Sequence, residues 1–150
     1  MKYIISILIT LIMASTGLAD GIKVNMQAIA MIESSGDPQA YNERTNAVGL
    51  YQITLPCLAD YNQAHILGGY NHEDMFHPSR AHIVASWYIN KKIPSYMKYY
   101  KIEDSINNRL IAYNWGIGNL RKWVRSERTY KIPKETSDYI VKYNNYINSK

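Results

Sequence analysis

The sequence predicts a single, mainly α-helical domain. Its 150 residues leave room for one hydrophobic core. Several stretches place apolar side chains three and four residues apart, which is typical of helices that bury one face. The alternation of apolar and polar residues that indicates strands is nearly absent. Cys57 is the only cysteine, which excludes an internal disulfide, so we expect packing to provide the stability and the thiol to be buried and inert. An intermolecular bridge is the alternative for this thiol.

Residues 1–19 have the pattern of a secretory signal peptide. Lys2 precedes an apolar run from Ile4 to Met13, and small residues lead to Ala19, after which we expect cleavage. The apolar run is too short to cross a bilayer comfortably, which argues against a retained membrane anchor. We therefore expect the mature domain, residues 20–150, to be exported to the periplasm or cell envelope.

The first predicted helix follows Asn25, a favourable N-cap residue, and ends near Gly36. Glu33 comes four residues after Ile29 and three after Ala30, so its carboxylate shares a helical stripe with apolar side chains. One interpretation is an acid that bends out to water. The other is a general acid, because apolar surroundings raise the pKa of a glutamate towards neutrality.

The middle of the chain contains two further predicted helices. A turn at Gly36-Asp37-Pro38 and a polar loop at residues 42–46 precede an apolar segment at 47–53, which forms either a short strand or a tight turn. A helix from the N-cap Thr54 to about Ala64 follows, and glycines at 68 and 69 end this region. The clearest amphipathic helix spans residues 79–92, with one predicted core face formed by Ile83, Val84, Trp87 and Tyr88.

Three more helices are predicted in the C-terminal part. Ser105 begins one, and Gly116 and Gly118 end it. A short helical face follows around residues 120–124, and Pro133 opens a tyrosine-rich helix that continues to about Asn148. One stripe of the helix after Ser105 is formed by Ile106, Leu110, Tyr113 and Asn114. The C-terminal end of this stripe is polar and extends out of the predicted core.

The charge and aromatic content favour an anionic or polymeric partner. The net charge is +5, and removal of Lys2 with the signal peptide lowers it by one. The basic residues are scattered in pairs and lack the dense run of a nucleic-acid-binding arm. For an exported protein we expect cell-wall polymer or a membrane surface as the partner, not nucleic acid. The 14 tyrosines against 1 phenylalanine are compatible with a groove that stacks sugars.

Several kinds of catalytic site are excluded by spacing. His72 and His77 are five residues apart, whereas two zinc ligands on one helical face need a spacing of four, so no metal site is predicted. No cofactor is predicted either. No Gly-x-Ser-x-Gly nucleophile elbow is present, Cys57 has no evident histidine partner, and no phosphate-binding loop occurs.

Four polar residues stand out in segments that otherwise suit a core or a helix start: Glu33, Gln52, Asn114 and Glu135. Each has a structural alternative. Gln52 can satisfy nearby backbone groups. Asn114 can simply end a helix, and Glu135 can complement the positive end of a helix dipole.

Taken in chain order, the segments around these residues resemble the motif series of the lytic transglycosylase SLT domain. The segments read Glu33-Ser34-Ser35-Gly36-Asp37, Gly49-Leu50-Tyr51-Gln52-Ile53, Ala112-Tyr113-Asn114-Trp115-Gly116 and Glu135-Thr136-Ser137-Asp138-Tyr139. They cover nearly all of the mature chain. The resemblance implies a lysozyme-like helical domain with a groove that holds a glycan strand.

The resemblance also implies roles for individual residues. Glu33 would be the catalytic acid and base, with Glu135 as a supporting residue. The substrate-binding residues would be Ser34, Gln52, Tyr113, Asn114 and Tyr139. The sequence departs from the family at Tyr51, where methionine is common, and at Trp115, where a small residue is common, so the sugar subsites are expected to differ.

The implied reaction is cleavage of the bond between N-acetylmuramic acid and N-acetylglucosamine in peptidoglycan, with formation of a 1,6-anhydro end. No second carboxylate stands out for the two-acid chemistry of ordinary glycosidases. A lysozyme-type hydrolase is the nearest alternative, since scaffold alone does not fix the reaction. A non-catalytic peptidoglycan-binding or assembly module is the alternative of another class. The expected setting is a monomer that opens the wall locally for a secretion or conjugation apparatus or for a phage.

Overall fold

The computed structural model describes residues 21–150, and the predicted signal peptide lies outside this part of the chain. The described residues form the mainly helical fold that the sequence predicts. Helix α1 is followed by a short β-hairpin, and six further helices complete the domain. The elements are α1 (Met26–Ser34), β1 (Tyr41–Asn42), β2 (Ala47–Val48), α2 (Leu55–Ala64), α3 (Pro78–Trp87), α4 (Ile93–Tyr99), α5 (Ile106–Trp115), α6 (Ile117–Arg125) and α7 (Lys134–Asn148).

Helix α1 begins as predicted. The Asn25 side chain accepts a hydrogen bond from the Ala28 amide at 3.1 Å and so satisfies one of the free N–H groups of the first turn. The helix ends at Ser34, because Ser35 takes a left-handed conformation with φ 56°. Residues 28–30 are buried, and Glu33 in the last turn is half-buried.

The β-hairpin pairs Tyr41 with Val48 and Asn42 with Ala47, so the predicted polar loop is the exposed tip of this hairpin. The chain then turns at Gly49, which has φ 76°. Any Cβ at this position would collide with the Met75 carbonyl, so the turn requires glycine. This close approach fixes the hairpin against a 3₁₀ turn at His72–Phe76.

A long helical run crosses the centre of the domain. Helix α3 continues through a π-helical turn at Tyr88–Lys92 into α4, whose first turn accommodates a proline. The predicted core face of this helix is partly wrong, because Ile83 is 45% exposed. The small residues Ala81 and Ala85 are fully buried there instead, since they allow close packing.

Helices α5, α6 and α7 complete the domain. The Ser105 side chain caps α5 by accepting from the Asn108 amide at 3.3 Å, as predicted. The predicted end at Gly118 is wrong, because only Gly116 separates α5 from α6 and Gly118 lies within α6. Helix α7 packs against both α1 and α5. None of the helices within residues 21–150 combines the length and the apolar character that a bilayer crossing needs.

Candidate active site

A cleft of about 530 Å³ opens where the end of α1, the hairpin, the α5–α6 junction and the start of α7 meet. The fold brings together most of the site residues that the sequence pointed to, although they come from four separate segments. All of them except Ser34 line the cleft, namely Glu33, Gln52, Tyr113, Asn114, Glu135 and Tyr139.

The Glu33 carboxyl group is withdrawn from water in this cleft. Burial raises the pKa of Glu33 from 4.5 to about 7, and the nearby Glu135 carboxylate acts in the same direction. A hydrogen bond from the Tyr139 hydroxyl to Glu33 Oε1, at 2.8 Å, and the charge of Lys142 lower the pKa and so limit the rise. No Lys or Arg among the described residues forms an ion pair with Glu33. The carboxyl group is therefore partly protonated near neutral pH.

Two tyrosines flank this carboxyl group as neutral donors. Tyr139 on α7 donates to Glu33, and Tyr113 on α5 donates to the Tyr51 carbonyl oxygen at 2.8 Å. Burial, followed by the proximity of Glu33, raises the pKa of both phenols well above the ordinary value. Neither hydroxyl group can thus act as a base near neutral pH.

Asn114 is oriented by a residue that the sequence did not single out. The Thr136 hydroxyl donates to Asn114 Oδ1 at 2.8 Å, and Thr136 is only 1% exposed. Because this bond occupies the amide oxygen, the amide nitrogen of Asn114 is left to donate into the cleft. Thr136 lies in the same motif as Glu135, and its buried position on α7 is evident only from the packing of α7 on α5.

Gln52 combines the two roles that were considered for it. Its Nε2 donates to the carbonyl oxygens of Gly49 at 3.1 Å and Ala40 at 3.3 Å, which is the structural role. Its backbone has φ 49°, a strained value for a residue with a side chain. Gln52 also lines the cleft, and its amide oxygen is left to accept from a ligand.

Ser34 does not line the cleft, so the structure gives no support to its expected contact with substrate. Its hydroxyl lies 3.0 Å from the Ala30 carbonyl oxygen and 2.9 Å from the Leu50 carbonyl oxygen. The Ser34 hydroxyl bonds the backbone instead of facing the cleft because a serine in the last turn of a helix readily donates to the carbonyl oxygen four residues earlier. Ser34 thus links α1 to the turn after the hairpin.

The two departures from the family pattern have different consequences. Tyr51 is 4% exposed and its hydroxyl bonds His82 Nδ1 at 2.9 Å, so its bulk enters the core and not the cleft. Trp115 lines the cleft at the end of α5. Of the two, only Trp115 can therefore change the shape of the cleft directly.

Several cleft residues were missed by the sequence reasoning. Lys142 follows Tyr139 by three positions on α7, and this spacing could have placed it on the same face. Arg44 on the hairpin tip and Tyr88 in the π-helical turn gave no such signal. Cys57 is buried, as predicted, but against the cleft. Burial raises the pKa of its thiol to about 12, which keeps the group neutral and unreactive.

The arrangement can transfer a proton in both directions. A carboxyl group whose pKa lies near the ambient pH can donate a proton and then accept one. Among the residues that line the cleft, only Glu33 and Glu135 carry carboxyl groups, and Glu135 is exposed to water. Glu33 is thus the one acid of the cleft in an environment suited to general acid catalysis.

One comparison with known proteins gave a match. The family model described as Transglycosylase SLT domain matches residues 19–136. No curated protein and no solved structure matches the chain significantly. The matched range includes Glu33, Gln52 and Asn114 and ends before Tyr139.

Proposed function

Because the chain belongs to the transglycosylase SLT domain family, we propose that it is a peptidoglycan lytic transglycosylase with Glu33 as its catalytic acid and base. The family itself suggests lytic transglycosylase activity on peptidoglycan and therefore a place in the cell envelope. The reaction product and the roles of individual residues belong to the proposal.

The observation that carries the proposal is the state of the Glu33 carboxyl group. It opens into the cleft, it forms no ion pair with any of the described residues, and its pKa of about 7 is set mainly by burial. An exposed glutamate would be ionised at neutral pH and could not protonate a leaving group. A salt bridge would lower the pKa of the glutamate further, so that even less of it would be protonated at neutral pH. The Glu33 environment therefore suits a reaction that starts with proton donation.

In the proposed reaction, protonated Glu33 gives its proton to the oxygen that joins N-acetylmuramic acid to the next N-acetylglucosamine. The bond between this oxygen and C1 of the muramic acid breaks, and the acetamido carbonyl oxygen of the same sugar stabilises the positive charge at C1. The Glu33 carboxylate then takes the proton of the C6 hydroxyl group, whose oxygen bonds to C1. The products are a free 4-hydroxyl and a 1,6-anhydro ring, and no water is consumed.

The other cleft residues hold the substrate or tune the acid in this proposal. The Asn114 amide nitrogen and the Gln52 amide oxygen supply one donor and one acceptor to sugar groups. Tyr139 stabilises the carboxylate form of Glu33 after the first step through its 2.8 Å hydrogen bond. The nearby charge of Glu135 adds to the rise that burial causes in the pKa of Glu33, which fits a supporting role.

A lysozyme-type hydrolase is the second candidate, and Glu135 is the observation that favours it. Glycosidases that use water need a second carboxylate across the cleaved bond, and Glu135 is the other carboxylate in the cleft. Digestion of purified peptidoglycan in ¹⁸O-labelled water separates the two reactions by mass spectrometry. A transglycosylase yields unlabelled anhydro products, which are lighter by one water. Labelled reducing ends would instead identify a hydrolase.

We expect Glu33→Gln to lower the release of soluble fragments from peptidoglycan by about 10³-fold, since it removes the proton donor. The fold should be retained, as checked by circular dichroism. Glu103→Gln, a change at an exposed carboxylate outside the cleft, is the matched control and should keep full activity. Equal activity of Glu33→Gln and the control would refute the assignment. Binding of the native protein without any fragment release would indicate a non-catalytic module.

The proposed setting is local opening of the wall, by a monomer, for a secretion or conjugation apparatus or for a phage. The basis is the family membership. Assembly of such an apparatus at the normal level in a strain that carries only Glu33→Gln would count against it.

A further inference from the structure

The excess positive charge of the protein is concentrated in one segment. Residues 121–134 contain six basic residues and a single acid, Glu127, whereas the rest of the sequence holds equal numbers of basic and acidic residues. The six are Arg121, Lys122, Arg125, Arg128, Lys131 and Lys134. This segment comprises most of α6, the loop after it and the first residue of α7.

The fold brings four of these charges towards one surface, which we call the basic face and define by Lys122, Arg125, Arg128 and Lys131. The Arg121 guanidinium lies elsewhere, over the Tyr100 ring at 4.4 Å from its centre. The loop folds back on α6, since the Trp123 indole donates to the Tyr130 carbonyl oxygen at 2.8 Å. The Arg128 guanidinium lies over the Trp123 ring at 5.2 Å from its centre. Lys122 and Arg125, three residues apart on α6, are both exposed and belong to the same side of the helix.

The charges of the basic face have no acidic partner within the described part of the protein. Lys134 pairs with Asp138 on its own helix, but no ion pair in residues 21–150 involves Lys122, Arg125, Arg128 or Lys131. Like charges kept close together without acidic partners repel one another, so this cluster is more suited to an anionic ligand than to the isolated fold.

We propose that the basic face binds the carboxylates of the peptide stems of peptidoglycan outside the cleft, an inference that rests on the proposed function. Both ends of the segment connect to the cleft, because α6 follows Gly116 and α7 carries Glu135, and both residues line it. A polymer whose glycan strand occupies the cleft therefore brings its carboxylate-bearing peptides towards this surface. The contact retains the enzyme on the insoluble wall between cleavage events.

The composition of the face favours a hydrophilic polymer over a lipid bilayer. Peripheral membrane attachment usually combines basic residues with apolar side chains that enter the interface. Among the large hydrophobic residues of the segment, only Tyr130 is clearly exposed, at 45%. The attraction is therefore mainly electrostatic and should weaken as salt screens it.

The test is sedimentation with purified insoluble peptidoglycan, carried out in the Glu33→Gln background so that the wall stays intact. Adding Lys122→Glu and Lys131→Glu should weaken binding by at least about tenfold at low salt. The matched control adds Lys91→Glu and Lys98→Glu, which change the same charge at exposed lysines of other elements. Lys98 and Lys122 each lie in the last turn of a helix, so the effects on helix stability are comparable. The control should bind as the parent does.

Chemical amidation of the wall carboxylates should reduce binding of the parent to the level of the basic-face variant. Equal binding by this variant and the control would refute the proposal. Tighter binding of the parent to phosphatidylglycerol vesicles than to the wall, lost in the same variant, would identify a membrane as the ligand. With Glu33 intact, the basic-face variant should cleave soluble glycan fragments at the native rate. Failure of the native protein to cleave them would refute the proposed function and leave the sedimentation result unaffected.

Discussion

Arg109 and Glu33 are both withdrawn from water, but their surroundings differ. Arg109 lies on α5 and is only 4% exposed. It donates to both carboxylate oxygens of Asp104 at 2.7 Å, to the Ile22 carbonyl oxygen at 2.7 Å and to Asn90 Oδ1 at 3.1 Å. Its charge and most of its donors are therefore satisfied by fixed partners.

Within residues 21–150, Glu33 has neither an ion-pair partner nor a hydrogen-bond network. The side-chain hydrogen bond that it receives there comes from the neutral Tyr139 hydroxyl. A buried charge with complete partners stays charged and holds segments of the chain together, whereas a buried acid with one neutral partner responds by keeping its proton. The contrast fits a structural role for Arg109 and the proposed catalytic role for Glu33, whose burial lowers the stability of the fold.

The largest expected effect on stability comes from Arg109→Met. This change leaves Asp104 without its partner and releases the Ile22 and Asn90 oxygens. We expect the free energy of unfolding to fall by about 3 kcal/mol, towards the lower end for a broken buried pair because Asp104 is 41% exposed. Urea denaturation at pH 7 measures the loss. Arg109→Lys keeps the charge but cannot contact both Asp104 oxygens as the guanidinium does. Its free energy of unfolding should lie between those of Arg109→Met and the native protein. If Arg109→Met is as stable as the native protein, the structural role of Arg109 is refuted.

The second prediction concerns the loss of stability that the buried Glu33 carboxyl group causes. The folded protein keeps the Glu33 proton up to about pH 7, whereas the unfolded chain releases it near 4.5. The folded state thus binds more protons between these values, so this residue makes the protein less stable as pH rises through that window. The full cost, about 3 kcal/mol, is present above pH 7. Glu33→Gln should therefore be more stable than the native protein at pH 8 by up to that amount, and equally stable near pH 4. Urea denaturation at the two pH values measures this difference. An equal effect at both pH values would show that the gain has another origin.

The smallest predicted effect concerns the hydrogen bond from Tyr139 to Glu33. Tyr139→Phe removes the hydrogen bond that stabilises the Glu33 carboxylate, so the pKa of Glu33 should rise further. We expect the alkaline limb of the pH–rate profile on peptidoglycan to move to higher pH. The maximal rate should fall about tenfold, because a hydrogen bond to a charged group is lost. A limb that moves to lower pH would contradict this role.

Local signals in the sequence predicted the helix starts well. Asn25 and Ser105 cap α1 and α5 through bonds to residues three positions further on, which depend only on nearby chain. The core face of α3 was less predictable. Its buried alanines depend on how closely neighbouring elements approach, whereas the hydrophobic pattern favours larger residues such as Ile83.

The catalytic candidate was also more predictable than its surroundings. Glu33 stands out because it is an acid on an apolar stripe, and the motif order supports it. Its hydrogen-bond partner Tyr139 is 106 residues away, and the bond between Thr136 and Asn114 joins two helices. Lys142 and Cys57 reach the cleft through the packing of whole elements. Such contacts follow from the tertiary fold, and no local pattern specifies them.

The π-helical turn at Tyr88–Lys92 constrains how the gene can change in length. Each residue of an α-helix turns the chain by about 100°, so a one-residue deletion here would rotate everything that follows relative to the core. The wide turn lets Tyr88 line the cleft while Ile89 and Ile93 both stay fully buried. A chain that is one residue shorter here would lose either the position of Tyr88 in the cleft or the packed side of α4. The number of residues in this segment therefore matters to the fold as well as their identity.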